Sequence, residues 1–160
     1  LNESSRKIIL KQFKQAAACR LWIAMDRVSL FSRGEHIERL RENLNFFKEN
    51  GIETGVWIQA FGFGDPVSTN WTRLRSVTGT TANGDALCPE DPDFIAAYLD
   101  WVKDIASVSP ELIMLDDDLC LSVRPGIGCF CDRHLKLLQE EVGEIDDLTK
   151  MFTGGKNKYG

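Results

Sequence analysis

A chain of 160 residues has room for one ordinary domain, and its 43% apolar and 27% charged residues are those of a globular protein. The net charge of −5, with no basic stripe, argues against a nucleic-acid binder, and no apolar run is long enough to span a bilayer. No charged segment followed by an apolar one opens the chain, so no secretory signal is expected; the five cysteines then read as free thiols or a metal site, and a cytoplasmic location is favoured. The first residue is Leu rather than Met, and we expect the stretch to belong to a longer chain.

About residues 3 to 18 read as a helix, with Ile9, Phe13 and Ala17 spaced by four. Leu21 to Met25 reads as a strand ending at Asp26-Arg27. Ser32-Arg33-Gly34-Glu35 has the form of a capping box, and Ile37, Leu40, Leu44 and Phe47 follow as one apolar helical face. Gly51 stands where a helix C-terminal glycine belongs, and Gly55 to Ala60 reads as a second strand. A long connection, rich in Gly, Thr and Asn, carries Trp71, Arg73 and Arg75 from Phe61 to Asp91. Asp91-Pro92 starts a helix whose core stripe is Phe94, Tyr98, Trp101 and Ile105. Leu112-Ile113-Met114-Leu115 reads as a buried parallel strand, and Asp132 to Glu141 as a further short helix. Residues 153 to 160, with several glycines, read as a frayed or truncated tail.

Strands alternating with helices imply a parallel sheet with right-handed crossovers. Three parallel strands leave two open edges and two faces to cover, so we expect an α/β fold that is part of a (β/α)8 barrel over residues 1 to 152; a small three-layer α/β domain is the alternative.

In such folds ligands meet the carboxyl ends of the strands. Asp116, Asp117 and Asp118 stand behind the third strand, Asp26 and Arg27 behind the first, and Gln59 near the end of the second. Alternation puts Asp116 and Asp118 on one side and Asp117 on the other. Carboxylates, an arginine, a glutamine and an aromatic suit a carbohydrate: its hydroxyls take paired hydrogen bonds and its C–H face takes a ring. Trp57 is expected in the core, which leaves Trp71 as the aromatic candidate, either as a sugar platform or as a loop anchor. A solvated loop, a helix cap and a Mg2+ site remain alternative readings of the aspartates, and a surface ion pair remains one of Asp26-Arg27.

Cys129-Phe130-Cys131-Asp132-Arg133-His134 places three soft or borderline ligands within six residues. A closed tetrahedral zinc site needs a fourth, for which Cys88 and Cys120 are the candidates; the alternative is a set of free thiols. A Cys129–Cys131 disulfide would strain the required geometry.

Leu87-Cys88-Pro89-Glu90-Asp91-Pro92, then a helix, an acid-ended strand and Cys129-Phe130-Cys131-x-x-His134, resembles family 42 β-galactosidases and neighbouring glycoside hydrolase-like barrels. The resemblance covers roughly residues 50 to 140. It implies that Cys88, Cys129, Cys131 and His134 hold a structural zinc, and that the strand at Leu112 is strand four of the barrel. In that family strand four ends in Asn-Glu, the Glu being the general acid/base; here Asp-Asp stands in its place, and His134 replaces a Cys. The family's nucleophile, on strand seven, has no counterpart on this chain.

The resemblance therefore implies a piece of a glycoside hydrolase acting on carbohydrate O-glycosidic bonds. Asp118 or Asp117 would be the acid, with Asp116 beside them. Asp26, Arg27, Gln59 and Trp71 would line the sugar site, zinc would be structural, and the rest of the barrel would come from the parent chain. Alone, the piece is expected to be inactive. A metal-dependent phosphoester hydrolase using the Asp cluster and a non-catalytic carbohydrate-binding barrel are the competing classes.

Overall fold

The computed structural model describes residues 1–60, 70–77, 86–116, 128–148 and 150, with the side chains of Arg27 and Val28 excepted. It is an α/β structure with a three-stranded parallel sheet flanked by helices. The elements are α1 (Glu3–Gln15), β1 (Arg20–Met25), a 3-10 turn (Arg27–Phe31), α2 (Arg33–Glu49), β2 (Glu53–Ile58), α3 (Pro92–Ser107), β3 (Leu112–Leu115) and α4 (Asp132–Val142). Among the described residues no helix is long and apolar enough to cross a membrane. The chain forms two compact units, residues 1–59 with 97–116 and residues 60–96 with 117–160; the division falls within α3.

The first unit holds the sheet, in the order β1-β2-β3 and parallel throughout. Strands in sequence order with right-handed crossovers put α2 and α3 on the same face. Accordingly, Arg33 at the start of α2 reaches Asp104 of α3 at 3.2 Å. Between helices and sheet lies the core: Ile37, Leu40, Leu44 and Phe47 from α2, Val56 and Ile58 from β2, Trp101 and Ile105 from α3. The apolar stripes read from helical periodicity in α2 and α3 are thus the buried ones, whereas α1 buries none of its residues and ends before Ala17. Gly51 adopts φ 76° just past α2, the left-handed conformation that glycine takes at low cost.

Three expectations are corrected. Ser32 makes no side-chain cap bond to α2. Its backbone closes the preceding 3-10 turn by donating to Ser29 O, at φ −128° and ψ 41°, so it lacks the extended geometry that an N-cap needs. β3 is parallel but not buried: it is an edge strand, and Ile113, Met114 and Leu115 are exposed. Trp57 is 39% exposed rather than in the core. It lies in register between Ala24 and Met114, on the sheet face opposite Val56 and Ile58.

Among its described residues the second unit is organised by short contacts instead of a sheet. Residues 73 and 87 form an antiparallel bridge, extended by Leu74 N–H to Ala86 O at 2.9 Å and Cys88 N–H to Thr72 O at 2.8 Å. Asp91 caps α3: its Oδ1 accepts the N–H groups of Asp93 and Phe94 at 3.0 and 3.1 Å. Its Oδ2 accepts Thr72 N–H at 2.7 Å, so one buried carboxylate starts a helix and ties down the 72–75 segment.

Candidate metal centre and the carboxyl end of the sheet

Three short segments of the second unit converge on one point. Cys88 enters through the turn before α3, where Asp91 N–H donates to Cys88 O at 3.0 Å. Gly128, at φ 76°, turns the chain into Cys129-Phe130-Cys131. Cys131 is the N-cap position of α4 but makes no side-chain cap bond, which leaves its sulfur to the cluster. His134, three residues on, lies in the first turn of α4 on the same side.

The four ligand atoms all lie within 4.8 Å of one another, and the three cysteines are buried. Cys88 Sγ and Cys131 Sγ are 3.6 Å apart, and His134 Nδ1 is 3.4 Å from each. A tetrahedral zinc site with ordinary bond lengths has S···S edges of about 3.8 Å and S···N edges of about 3.6 Å. The side chains therefore stand close to ligand positions, and a fourth donor closes the set. All the described cysteines are free thiols, Cys129 and Cys131 included. Cys88, not Cys120, is the fourth member seen; Cys120 lies outside the described residues.

The electrostatics suit a cation. A hydrogen bond to Cys129, reinforced by burial, pushes the Cys88 thiol up. Cys129 receives that bond and, against the effect of burial, is held down to about 5, helped by the backbone N–H groups of Cys131 and Arg75 at its sulfur. A thiolate furnished with N–H donors, as at Cys129, is what a soft or borderline divalent ion binds. Leu74 and Ala86 complete the apolar shell with the three cysteines. A four-donor site with no open position is structural in character, since catalysis needs a place for water or substrate.

The candidates at the strand ends divide differently. The sheet ladder runs one residue past each strand: Gln59 N–H donates to Met25 O at 3.2 Å and Asp116 N–H to Ile58 O at 2.9 Å. Continuing the register of Met25, Ile58 and Leu115, the residues Asp26, Gln59 and Asp116 form one row along the carboxyl edge. Asp26 also caps the 3-10 turn, its Oδ1 accepting Ser29 N–H at 3.2 Å. An Asp-x-x-Ser spacing after a strand is the signal that could have given this away. Tyr98 Oη donates to Gln59 O at 2.8 Å and fixes the end of β2. The Arg27 side chain, Asp117 and Asp118 lie outside the described residues. Trp71 belongs to the second unit, half-buried, its ring 5.5 Å from that of Phe94.

No protein-family model, no curated protein and no solved structure matches this chain.

The sequence places Arg73 and Arg75 in a long connection but gives the segment Thr72-Arg73-Leu74-Arg75 no part in the Cys/His cluster. It supplies no ligand, yet it hydrogen-bonds to both ligand-bearing segments, Arg75 O accepting Phe130 N–H at 2.7 Å. The alternation of one buried leucine between two arginines was its signal.

Proposed function

We propose that this chain is the zinc-stapled part of a (β/α)8 barrel from a glycoside hydrolase-like protein. Cys88, Cys129, Cys131 and His134 hold one structural Zn2+, and carbohydrate meets the carboxyl edge of the sheet. The observation that carries this reading is the convergence of those four side chains, the same set that the resemblance matches to the family's zinc cluster. The sequential all-parallel sheet, with Asp116 in the row at its carboxyl edge, supports it further. Zinc, when bound, supplies the positive charge that lets three thiolates stay buried together.

In this reading Asp118 or Asp117 protonates the glycosidic oxygen as the bond to the sugar breaks, with Asp116 beside it. Gln59, Asp26 and Arg27 bind hydroxyls, and Trp71 offers a ring to the sugar's C–H face. The second carboxyl group that glycoside hydrolysis requires comes from elsewhere in the parent protein, and its distance from the acid decides between retention and inversion.

The test is a panel of aryl glycosides offered to the full-length parent protein. Hydrolysis that falls at least about a hundredfold in D117N or D118N supports the reading. No hydrolysis across the panel overturns the glycosidase part. Activity on phosphoesters that is lost with a chelator but kept in C129S would assign the aspartates to a Mg2+ site instead.

A further inference from the structure

We infer that Trp57 is the floor of the carbohydrate site at the carboxyl edge of the sheet: the C–H face of one neutral pyranose lies on its indole, and the hydroxyls of that pyranose bond to the Asp26, Gln59 and Asp116 row beside it. The inference rests on the carbohydrate reading of that edge. It names the ring that receives the sugar within the first unit, whatever Trp71 contributes from the second.

Register puts the ring and the polar row on one face. Ala24, Trp57 and Met114 are partners across β1, β2 and β3. Asp26, Gln59 and Asp116 stand two residues further along the same strands, and side chains two apart in a strand share a face. That face is opposite the buried Val56 and Ile58. All six residues belong to the first unit. The step from one row to the next is about 6.6 Å along the strands, and neighbouring strands lie about 4.8 Å apart. One sugar ring seated on Trp57 therefore reaches acceptors in the next row. Three hydrogen bonds hold that row in place: Ser29 N–H to Asp26 Oδ1 at 3.2 Å, Tyr98 Oη to Gln59 O at 2.8 Å and Asp116 N–H to Ile58 O at 2.9 Å.

The surroundings of Trp57 suit a flat ligand. Trp57 is 39% exposed although it stands in the middle strand of the sheet, where a side chain facing a packed core would be covered. Its partner on β1 is Ala24, too short to cover an indole. One row back, Gly55 has no side chain, and the six-membered ring of Trp22 occupies the place its Cβ would take. Trp22 therefore lies low over β2, in the row behind Trp57. The polar row decides the chemistry of the occupant. A purely apolar partner would desolvate two carboxylates and an amide beside the ring, at a cost it does not repay. A sugar meets both demands: its C–H face is apolar, and the hydroxyls around its edge donate to carboxylate and amide oxygens.

The experiment uses the full-length parent protein and three neutral probes, cellotetraose, mannotetraose and galactotetraose. Binding is measured by titration calorimetry. Access to Trp57 is measured by indole oxidation with N-bromosuccinimide, read by peptide mass spectrometry with and without each probe. The expected result is that at least one probe binds and that Trp57 is oxidised more slowly when this probe saturates the protein. Affinity for it should fall by at least about tenfold in Trp57→Ala and by less in Trp57→Phe, which keeps an aromatic face. Oxidation is read on wild-type protein, so it decides the matter even where W57A fails to fold. Wild-type affinity in folded W57A, or oxidation of Trp57 at an unchanged rate with the probe bound, overturns the inference and leaves the carbohydrate reading standing. A Trp57 that resists oxidation in the sugar-free protein also overturns it, because the rest of the parent chain or a second copy would then cover the ring. Binding of none of the three probes overturns the carbohydrate reading itself, and the inference with it.

Discussion

Cys88 Sγ lies 3.6 Å from Cys131 Sγ, although 43 residues separate them in the chain. The separation is far beyond a disulfide bond, which is about 2.05 Å, and it is close to the sulfur–sulfur edge of a tetrahedral metal site. His134 Nδ1 is equidistant from both sulfurs at 3.4 Å, so the three donor atoms group as the ligands of one metal ion could.

The first prediction follows from that geometry. Wild-type protein purified without chelators carries about one zinc per chain, the occupancy of one closed four-ligand site. Cys129→Ser weakens binding by at least about a hundredfold, because losing a ligand exceeds the effect of losing a supporting hydrogen bond. Cys19→Ser leaves metal content unchanged, since Cys19 is exposed and not a member of the cluster. Elemental analysis with a competitive chelator titration measures both, and equal metal content in C129S and wild type would rule the site out.

The grouping of Cys129, Cys131 and His134 was legible because Cys131 and His134 sit one helical turn apart and Cys129 adjoins them, a proximity written locally. The helical stripes of α2 and α3 were legible for the same reason, since Leu40, Leu44, Trp101 and Ile105 repeat at turn spacing and all four are buried. What a strand buries is decided by its neighbours in space. Leu112–Leu115 reads as an interior strand, yet among the described residues it has one strand partner, and Ile113, Met114 and Leu115 are exposed. Trp57 was misplaced likewise, because period two gives two faces but does not say which one the helices cover. Ser32 failed as a cap because the five-residue 3-10 turn before α2 was not foreseen and claims its backbone.

Asp91 supplies the second prediction. Burial pushes its carboxyl up, but the N–H and hydroxyl of Thr72 and the N–H groups of Phe94 and Asp93 outweigh burial and hold it below the usual carboxylate range. Asp91→Ala removes a helix cap and orphans Thr72 N–H, together a loss of about 2–4 kcal/mol at pH 7 by urea denaturation. A depressed folded-state pKa gives stability that is full above the unfolded value of about 3.9 and is lost as pH falls through the folded value. Asp91→Asn keeps an acceptor for α3 but turns an amide donor toward Thr72 N–H. It should be less damaging than Ala and should flatten this part of the acid limb. An acid limb identical to wild type in D91N would refute the assignment.

Gly55 gives the third. It pairs in register with Trp22, and a Cβ built on it would overlap the six-membered ring of that tryptophan. Gly55→Ala therefore forces the indole off the sheet, at a cost of about 1–3 kcal/mol. In Trp22→Ala the obstacle is gone, and the same Gly55→Ala change should cost little. A double-mutant cycle in urea is expected to return a coupling of about 0.5–3 kcal/mol, whereas additive effects would show that the contact carries no strain.

The fourth prediction concerns the carboxyl end of β2, where Tyr98 Oη donates to Gln59 O at 2.8 Å. This bond fixes the main chain at the middle of the Asp26, Gln59, Asp116 row from the helix side, and Tyr98 also packs edge-on against Trp101 with ring centroids 5.6 Å apart. Tyr98→Phe keeps the ring and its packing and deletes the donor. The stability cost should be modest, about 0.5–1.5 kcal/mol, since the freed carbonyl lies in a half-buried position. If the row binds substrate, the larger effect is on position: Gln59 gains freedom along the carboxyl edge, and misplacement there by even a fraction of an ångström weakens oriented contacts. In the full-length protein, Y98F should then lower the rate on any substrate the row binds by more than its loss of stability accounts for, at temperatures where both proteins stay folded. A stability loss with wild-type kinetics would confine Tyr98 to holding α3 on the sheet.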